Sequence, residues 1–330
     1  MLKLHVNNEY ARLKAVLFGT AQSNGPMPFA ENCYDPSSLS HVLLGTYPTE
    51  ADMQHEMLAV MAIFKKYEVE VFRPTTIENC NQIFARDIAF VIDNKFIKSN
   101  ILPDRAEEYH ALETLLEKID PEDLIELPQD CHVEGGDVIL HNDYIFVGVY
   151  SGSDYSDYIT ARTNLRAADA IQKLFPLKMV KTFELRKSNS NPLENALHLD
   201  CCFQPLGHGK ALIYDQGFLN KSDFEWLLNF FGKDNVFIAT RQEMSQMNCN
   251  VFSISEKIVI SKTNTTVFTK EQSWKVEFST DFPKVVPFHF LALIDLGELN
   301  LLHIIKGLLL AVTITLGLSY PSEEPLLTTV

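Results

Sequence analysis

The run Glu134-Gly135-Gly136-Asp137-Val138-Ile139-Leu140, then Asn142-Asp143, then Tyr144-Ile145-Phe146-Val147, decides how this chain folds. Two β-rich stretches flank a pair of turn-forming residues, the pattern of a tight hairpin. At the head of the hairpin two acids bracket two glycines. Glycine lets the backbone turn sharply or approach a neighbour closely, at an entropic cost that a plain strand avoids. Carboxylates rarely sit beside a buried strand unless something pairs them. The head therefore reads either as a site for a cationic ligand or a proton transfer, or as a structural turn with one capping acid.

The same outline recurs three more times. Residues 86–92 turn at Asp93-Asn94 into 95–97, residues 200–203 turn at Gly207-His208-Gly209 into 211–214, and residues 250–254 turn near Ser255-Glu256 into 257–260. Helix-like stretches lie between the hairpins, starting at 50 after a Thr49 cap, at 104 after Pro103, and over 162–174 and 221–231. Short strands follow, such as 69–72 and 236–238. The unit is β-β-α-β, and with an opening strand over 13–18 there is material for about five units. Such repeats can close into a ring with their heads facing a shared centre. Asp87, Asp137, Asp200 and Asn250 occupy equivalent positions at those heads. Three carboxylates from distant parts of the chain would then meet in one cavity, where their repulsion calls for a cation or for protons.

With 330 residues, 46% hydrophobic and 22% charged, the chain is globular in composition, as one large α/β domain or two smaller ones. Its net charge of −15 argues against a nucleic-acid partner and suits a small cationic one. None of the six cysteines forms a C-x-x-C pair, and the Cys and His spacing matches no zinc pattern, so neither a metal nor a cofactor is expected. The start Met1-Leu2-Lys3-Leu4-His5-Val6 is no signal peptide, so reduced thiols and a cytoplasmic location are expected. Residues 299–318 are apolar and long enough to span a bilayer, but Lys306 near their middle argues against a span. A buried terminal segment and a membrane tether are the two readings of that tail.

Several motifs, in this order, resemble the guanidino-group-modifying enzymes of the pentein fold: arginine deiminase, dimethylarginine dimethylaminohydrolase and the glycine amidinotransferases. They are Phe84-Ala85-Arg86-Asp87, Glu134-Gly135-Gly136-Asp137, Ala161-Arg162-Thr163-Asn164, His198-Leu199-Asp200 and Met247-Asn248-Cys249-Asn250-Val251. Residues 9–17 look like the family's first strand, and the resemblance runs from about residue 8 to about 288. It implies an α/β fold of about five β-β-α-β repeats, a pentein-type propeller around a pseudo-fivefold centre, over residues 1–288. By the same resemblance, Asp87 would accept hydrogen bonds from the substrate guanidinium, with Asp137 or Asp200 holding its other edge or orienting the catalytic groups. Glu134 would orient His198 and favour its charged form, and His198 would protonate the leaving amine and then activate the second nucleophile. Arg162 matches the position that binds a substrate α-carboxylate. The bland readings are a turn-capping His198, an Arg162 that shares a helix-like stretch with Arg166 and is held in a surface ion pair, and an Asp87 partly paired with Arg86.

The implied reaction is hydrolysis of the guanidino C–N bond of arginine or a derivative, through a Cys-His-Glu type site, to a citrulline-like product. Amidino transfer to an amine shares the site and is the first alternative. The chain departs from the family in one respect. The family's nucleophilic cysteine lies near the C-terminus after a Gly-Gly-containing loop, and here no cysteine follows Cys249. Cys201, Cys202 and Cys249 are more readily small buried apolar residues than substitutes. Residues 289–330 thus form an atypical apolar tail in place of the expected last repeat, through an altered frame or splice or through divergence. This favours a second alternative, a catalytically inactive guanidine-binding protein. The expected partner is a small cationic guanidino compound such as arginine, and a homo-oligomer stays open.

Overall fold

The computed structural model describes residues 1–153 and 155–261 and, as backbone strands, Lys284–Pro287 and Thr313–Leu316. Strand β1 (Ala15–Phe18) pairs in parallel with β2 (Glu70–Phe72). Four hairpins follow, and each gains a parallel third strand. β3 (Ala89–Ile92) and β4 (Lys95–Lys98) are joined by β5 (Leu124–Glu126), and β6 (Val138–His141) and β7 (Tyr144–Val149) by β8 (Met179–Glu184). β9 (Phe203–Leu206) and β10 (Lys210–Ile213) are joined by β11 (Val236–Ile238), and β12 (Phe252–Ser255) and β13 (Ile258–Ser261) by β14 (Lys284–Pro287). Finally β15 (Thr313–Leu316) adds antiparallel to β1. The result is five three-stranded mixed sheets among the described residues.

Local chemistry explains the turns. Asp93 and Asn142 take the left-handed conformation, with φ of 50° and 56°, which short polar side chains tolerate and tight hairpins require. The helices pack between the sheets. Helices α1 (Pro36–Leu43) and α2 (Glu50–Lys66) come first, and Thr49 and Asp52 close a capping box on α2. Phe64 of α2 meets Phe18 of β1 edge-on at 5.3 Å. Short helices α3 (Ala85–Ile88) and α4 (Glu113–Leu116) precede α5 (Leu165–Leu174), α6 (Lys221–Phe231) and α7 (Arg241–Ser245). Phe146, Phe183, Phe203 and Phe231 build the core between β7, β8, β9 and α6.

Three local expectations need correction. The helix expected from 104 is a 3-10 helix, Pro103–Leu112, that becomes α-helical only at α4. Its Asp-Arg-Ala-Glu-Glu run has no apolar stripe to draw a regular α-helix onto the core. Arg162 is not helical, because the Asn164 side chain caps α5 by accepting from the Ala167 amide. Cys201 belongs to a 3-10 turn, Leu199–Cys201, and Cys202 ends it, so neither lies on a strand. The apolar run 299–318 lies outside the described residues except for β15. Among the described residues no helix is long and apolar enough to cross a membrane.

Candidate active site

Every hairpin head carries a short turn immediately before its first strand. Asp87 sits in α3 ahead of β3, Asp137 ends the 3-10 turn Gly135–Asp137 ahead of β6, and Asp200 lies in the turn Leu199–Cys201. Asn250 directly precedes Val251 and β12. All four side chains are buried. Glycine is required at Gly135 because a Cβ there would lie 2.0 Å from the Arg86 carbonyl oxygen. At Gly136 a Cβ would lie 2.8 Å from Cγ and Nδ1 of His198, so the second glycine lets that imidazole pack on the backbone.

Glu134 and His198 meet at 2.7 Å between Oε2 and Nε2, and both are shut off from solvent. His198 Nδ1 lies 3.8 Å from Asp87 Oδ1. Burial by itself would lower the His198 pKa. The Asp87 charge, the Glu134 hydrogen bond and the Asp137 charge outweigh burial and push it up to about 9. Glu134 is held well below the usual carboxylate range: burial opposes this, but Arg162, the His198 bond and Arg105 together win. At neutral pH the pair is an imidazolium on a carboxylate, poised to give a proton rather than take one.

Each head carboxylate has its own counter-charge. Asp87 Oδ2 accepts from Arg105 Nη1 at 2.8 Å, and Arg105 also grips Glu108 through Nε and Nη2 at 2.7 and 2.8 Å. Asp200 faces Arg86 Nε at 3.4 Å, while its Oδ1 accepts no hydrogen bond among the described residues. Burial pushes the Asp200 carboxyl up to about 8 against the opposing charges of Arg86 and His198. Asp137 accepts from Thr163 Oγ1 at 2.7 Å and from the Leu199 amide at 2.9 Å, and burial raises its pKa against the nearby Lys187. Arg86 pairs with Glu9 and Asp200, so the expected bond between Arg86 and Asp87 is replaced by one from Arg105.

Arg162 is 2% exposed. Its Nη1 donates to both oxygens of Glu134 at 3.0 Å, its Nε to the Ile159 carbonyl and its Nη2 to the Tyr34 carbonyl. The surface pair belongs to Arg166, 3.5 Å from Asp130. Asp87, Arg105, Arg162 and His198 together line a cavity of about 360 Å³, closed on one side by residues of the 24–47 segment. Glu134, Asp137 and Asp200 are buried and do not line it, so the six expected site residues divide into a lining set of Asp87, Arg162 and His198 and a buried set. Donor atoms of Asp87, Glu134 and His198 lie within 4.8 Å of one another, a spacing that could hold a metal ion. Two guanidinium groups already sit against these carboxylates, which makes the spot a poor host for a divalent cation. Sequence reasoning missed Arg105, Glu108 and Lys187. The i,i+3 spacing of Arg105 and Glu108 after Pro103 was the available signal.

The cysteines divide likewise. Cys201, Cys202 and Cys249 are buried, and burial pushes the first two thiols well up. Cys33 and Cys80 line the cavity. Burial raises both, Cys80 to about 11 with help from Glu108 and Glu107.

Comparison with known proteins gives a consistent picture. The family described as N,N dimethylarginine dimethylhydrolase, eukaryotic, matches residues 48–297. The uncharacterized protein YkgA of Bacillus subtilis (strain 168) is 28% identical over 215 residues, covering 64% of this chain and 66% of that protein. The chain thus spans just under two thirds of that relative's length. The inosamine-phosphate amidinotransferase from Streptomyces griseus superposes with a TM-score of 0.68 at 14% identity, over 98% of this chain and 99% of that one. A variant of DDAH from Pseudomonas aeruginosa complexed with citrulline gives 0.59 at 16% identity, over 84% and 92%. These likenesses establish the α/β pentein fold.

Proposed function

The chain belongs to the N,N-dimethylarginine dimethylhydrolase family of the pentein superfamily, and we propose that it hydrolyses the guanidino C–N bond of arginine or an arginine derivative to a citrulline-like product. The observation that carries this reading is the buried His198–Glu134 pair on the wall of a cavity that also presents Asp87. The substrate guanidinium binds against Asp87, whose carboxylate matches a planar donor fork. A cysteine thiolate adds to the guanidinium carbon, and His198, charged at neutral pH, gives its Nδ1 proton to the amine displaced as that C–N bond breaks. Water then adds to the amidino carbon and expels the thiolate as the product carbonyl forms, one of its protons going to the now neutral imidazole and the other to solvent. Glu134 holds the ring and keeps it charged until that transfer. Arg162 fixes Glu134 and reaches a substrate carboxylate by exchanging its bond to the Tyr34 carbonyl. Asp137 and Asp200 support the lining from behind. The five sheets form repeats around a pseudo-fivefold centre over residues 1–288, and the apolar 289–330 tail contributes β15 to the first sheet.

Amidino transfer uses the same groups, with an amine replacing water. A second reading has an observation of its own. The thiol of a Cys-His-Glu site must come from Cys33 or Cys80 if the cavity wall supplies it, and both are held protonated at neutral pH. A thiol so held attacks poorly, which favours a protein that binds guanidines without turning them over. Calorimetry with arginine, dimethylarginine and agmatine, followed by assay for citrulline-like product, separates the readings. Product supports the hydrolase, binding without product supports the binding protein, and no binding of any of the three sinks both.

A further inference from the structure

Lys187 has no part in the reaction as proposed, yet its ammonium is buried deeply enough that desolvation lowers its pKa. It donates to the Ala196 carbonyl at 3.0 Å and to the Leu197 carbonyl at 2.8 Å, the two peptide groups immediately before His198. On the other side, Asp137 accepts from the amide of Leu199, the residue immediately after His198, at 2.9 Å. The two charges sense each other: Lys187 is the largest opposing influence on Asp137, and Asp137 on Lys187. The strand-like contact of residue 186 with 196, through the Ala196 amide and Arg186 carbonyl at 2.9 Å, carries Lys187 to this spot.

We propose that Lys187 is a positioning residue, which with Asp137 clamps the backbone on both flanks of His198 and so fixes the imidazole against Glu134. A neutral side chain could fill the same space, but it would leave Asp137 a buried carboxylate whose remaining partners are one hydroxyl and one amide. Such a group takes up a proton instead. Two consequences follow for His198, and they have the same sign. Neutral Asp137 no longer favours the imidazolium, and loosened carbonyls let the ring drift from Glu134. The other charges facing His198 are Asp87 and Glu134, with Asp200 nearby, and behind the first two stand Arg105 and Arg162. Of these only Arg162 lies near Lys187, and the thiols of Cys201 and Cys202 complete its surroundings.

The role rests on the proposed use of His198 as an acid, so the deciding measurement does not depend on turnover. His198 ring resonances, assigned with His198→Gln, are titrated by NMR in the parent, Lys187→Met, Lys187→Gln and Lys187→Arg proteins. The expected result is a lower His198 pKa in the Met and Gln variants and a near-parental one in the Arg variant, which keeps the charge. Where the product assay reads activity, kcat falls about tenfold in Lys187→Met while KM stays within about twofold, the mark of an interaction used in the transition state. Lys187→Gln keeps a donor for one carbonyl, so it decides the question if the Met variant does not fold. An unchanged His198 titration in either folded neutral variant overturns the proposal. A parent without turnover overturns the hydrolase reading and leaves the titration to judge Lys187.

Discussion

The raised pKa of His198 makes stability depend on pH in a definable window. The group titrates near 6.5 when free and at about 9 in the folded chain. A pKa raised on folding stabilises fully below the unfolded value and loses that stabilisation as pH climbs through the folded one. The window is therefore pH 6.5 to about 9, and stability falls across it. A difference of about 2.5 pKa units, at about 1.4 kcal/mol each, corresponds to roughly 3 kcal/mol for this one buried group. Asp200, with a carboxyl pushed up to about 8, sheds its proton in the same range and also lowers stability as pH rises. The quantity to read is thus the difference between the parent and His198→Gln, which retains hydrogen-bonding capacity without the charge. Removing the imidazolium lets Asp200 keep its proton to slightly higher pH, so the variant loses somewhat more through Asp200 and the difference is correspondingly smaller. Urea unfolding at half-unit steps from pH 6 to pH 10 should show the parent losing more than the variant, by up to about 3 kcal/mol. Parallel curves across the window would refute the assignment of a charged His198 held by Asp87 and Glu134.

Other outcomes follow from the packing around the same groups. Gly135→Ala drives a Cβ into the Arg86 carbonyl at 2.0 Å, and since backbone cannot swing aside, the urea midpoint should drop by an amount equal to about 1–3 kcal/mol or more. Gly136→Ala meets the His198 ring at 2.8 Å instead, and its clearest effect should be a displaced His198 resonance. Arg105→Gly strips the guanidinium from Asp87 and Glu108, costing about 3–5 kcal/mol; free guanidinium at low millimolar concentration should restore part of the lost Tm, and no rescue would mean that the vacated space does not accept the ion. A thiol-reactive amidine at pH 7 should leave all six cysteines unlabelled by intact mass, because Cys33, Cys80, Cys131, Cys201 and Cys202 are all shifted upward and Cys249 is buried.

How far the sequence foretold this arrangement follows from what each feature depends on. The hairpins were legible because Asp93-Asn94 and Asn142-Asp143 impose left-handed turns locally, and because period-two apolar runs flank them. The third strands β5 and β8 left no comparable trace: Leu124–Glu126 and Met179–Glu184 gain their strand character from parallel pairing with β4 and β7, which is non-local. Helix α1 announced itself by Asp35-Pro36, an N-cap followed by proline at the first helical position, and was overlooked. In the site, the heads with Asp87, Asp137 and Asp200 could be aligned from the repeat alone. Their partners could not, since Arg105 reaches Asp87 from 18 residues away and Arg162 reaches Glu134 from 28. The repeat thus specifies where acids converge, whereas of the cations that make such convergence tolerable only Arg86 comes from a head, and Arg105, Arg162 and Lys187 come from the segments between hairpins, where no repeat constrains them. That division has a chemical consequence. The ring of acids alone would hold protons at neutral pH, and it is Arg105, Arg162 and Arg86, with Lys187 behind Asp137, that tune which carboxyls stay ionised. Glu134, with two guanidinium neighbours and an imidazole, is ionised; Asp200, with a single arginine at 3.4 Å, holds its proton to about 8. The acid–base character of His198 is therefore set in large part by cations from the segments between the hairpins.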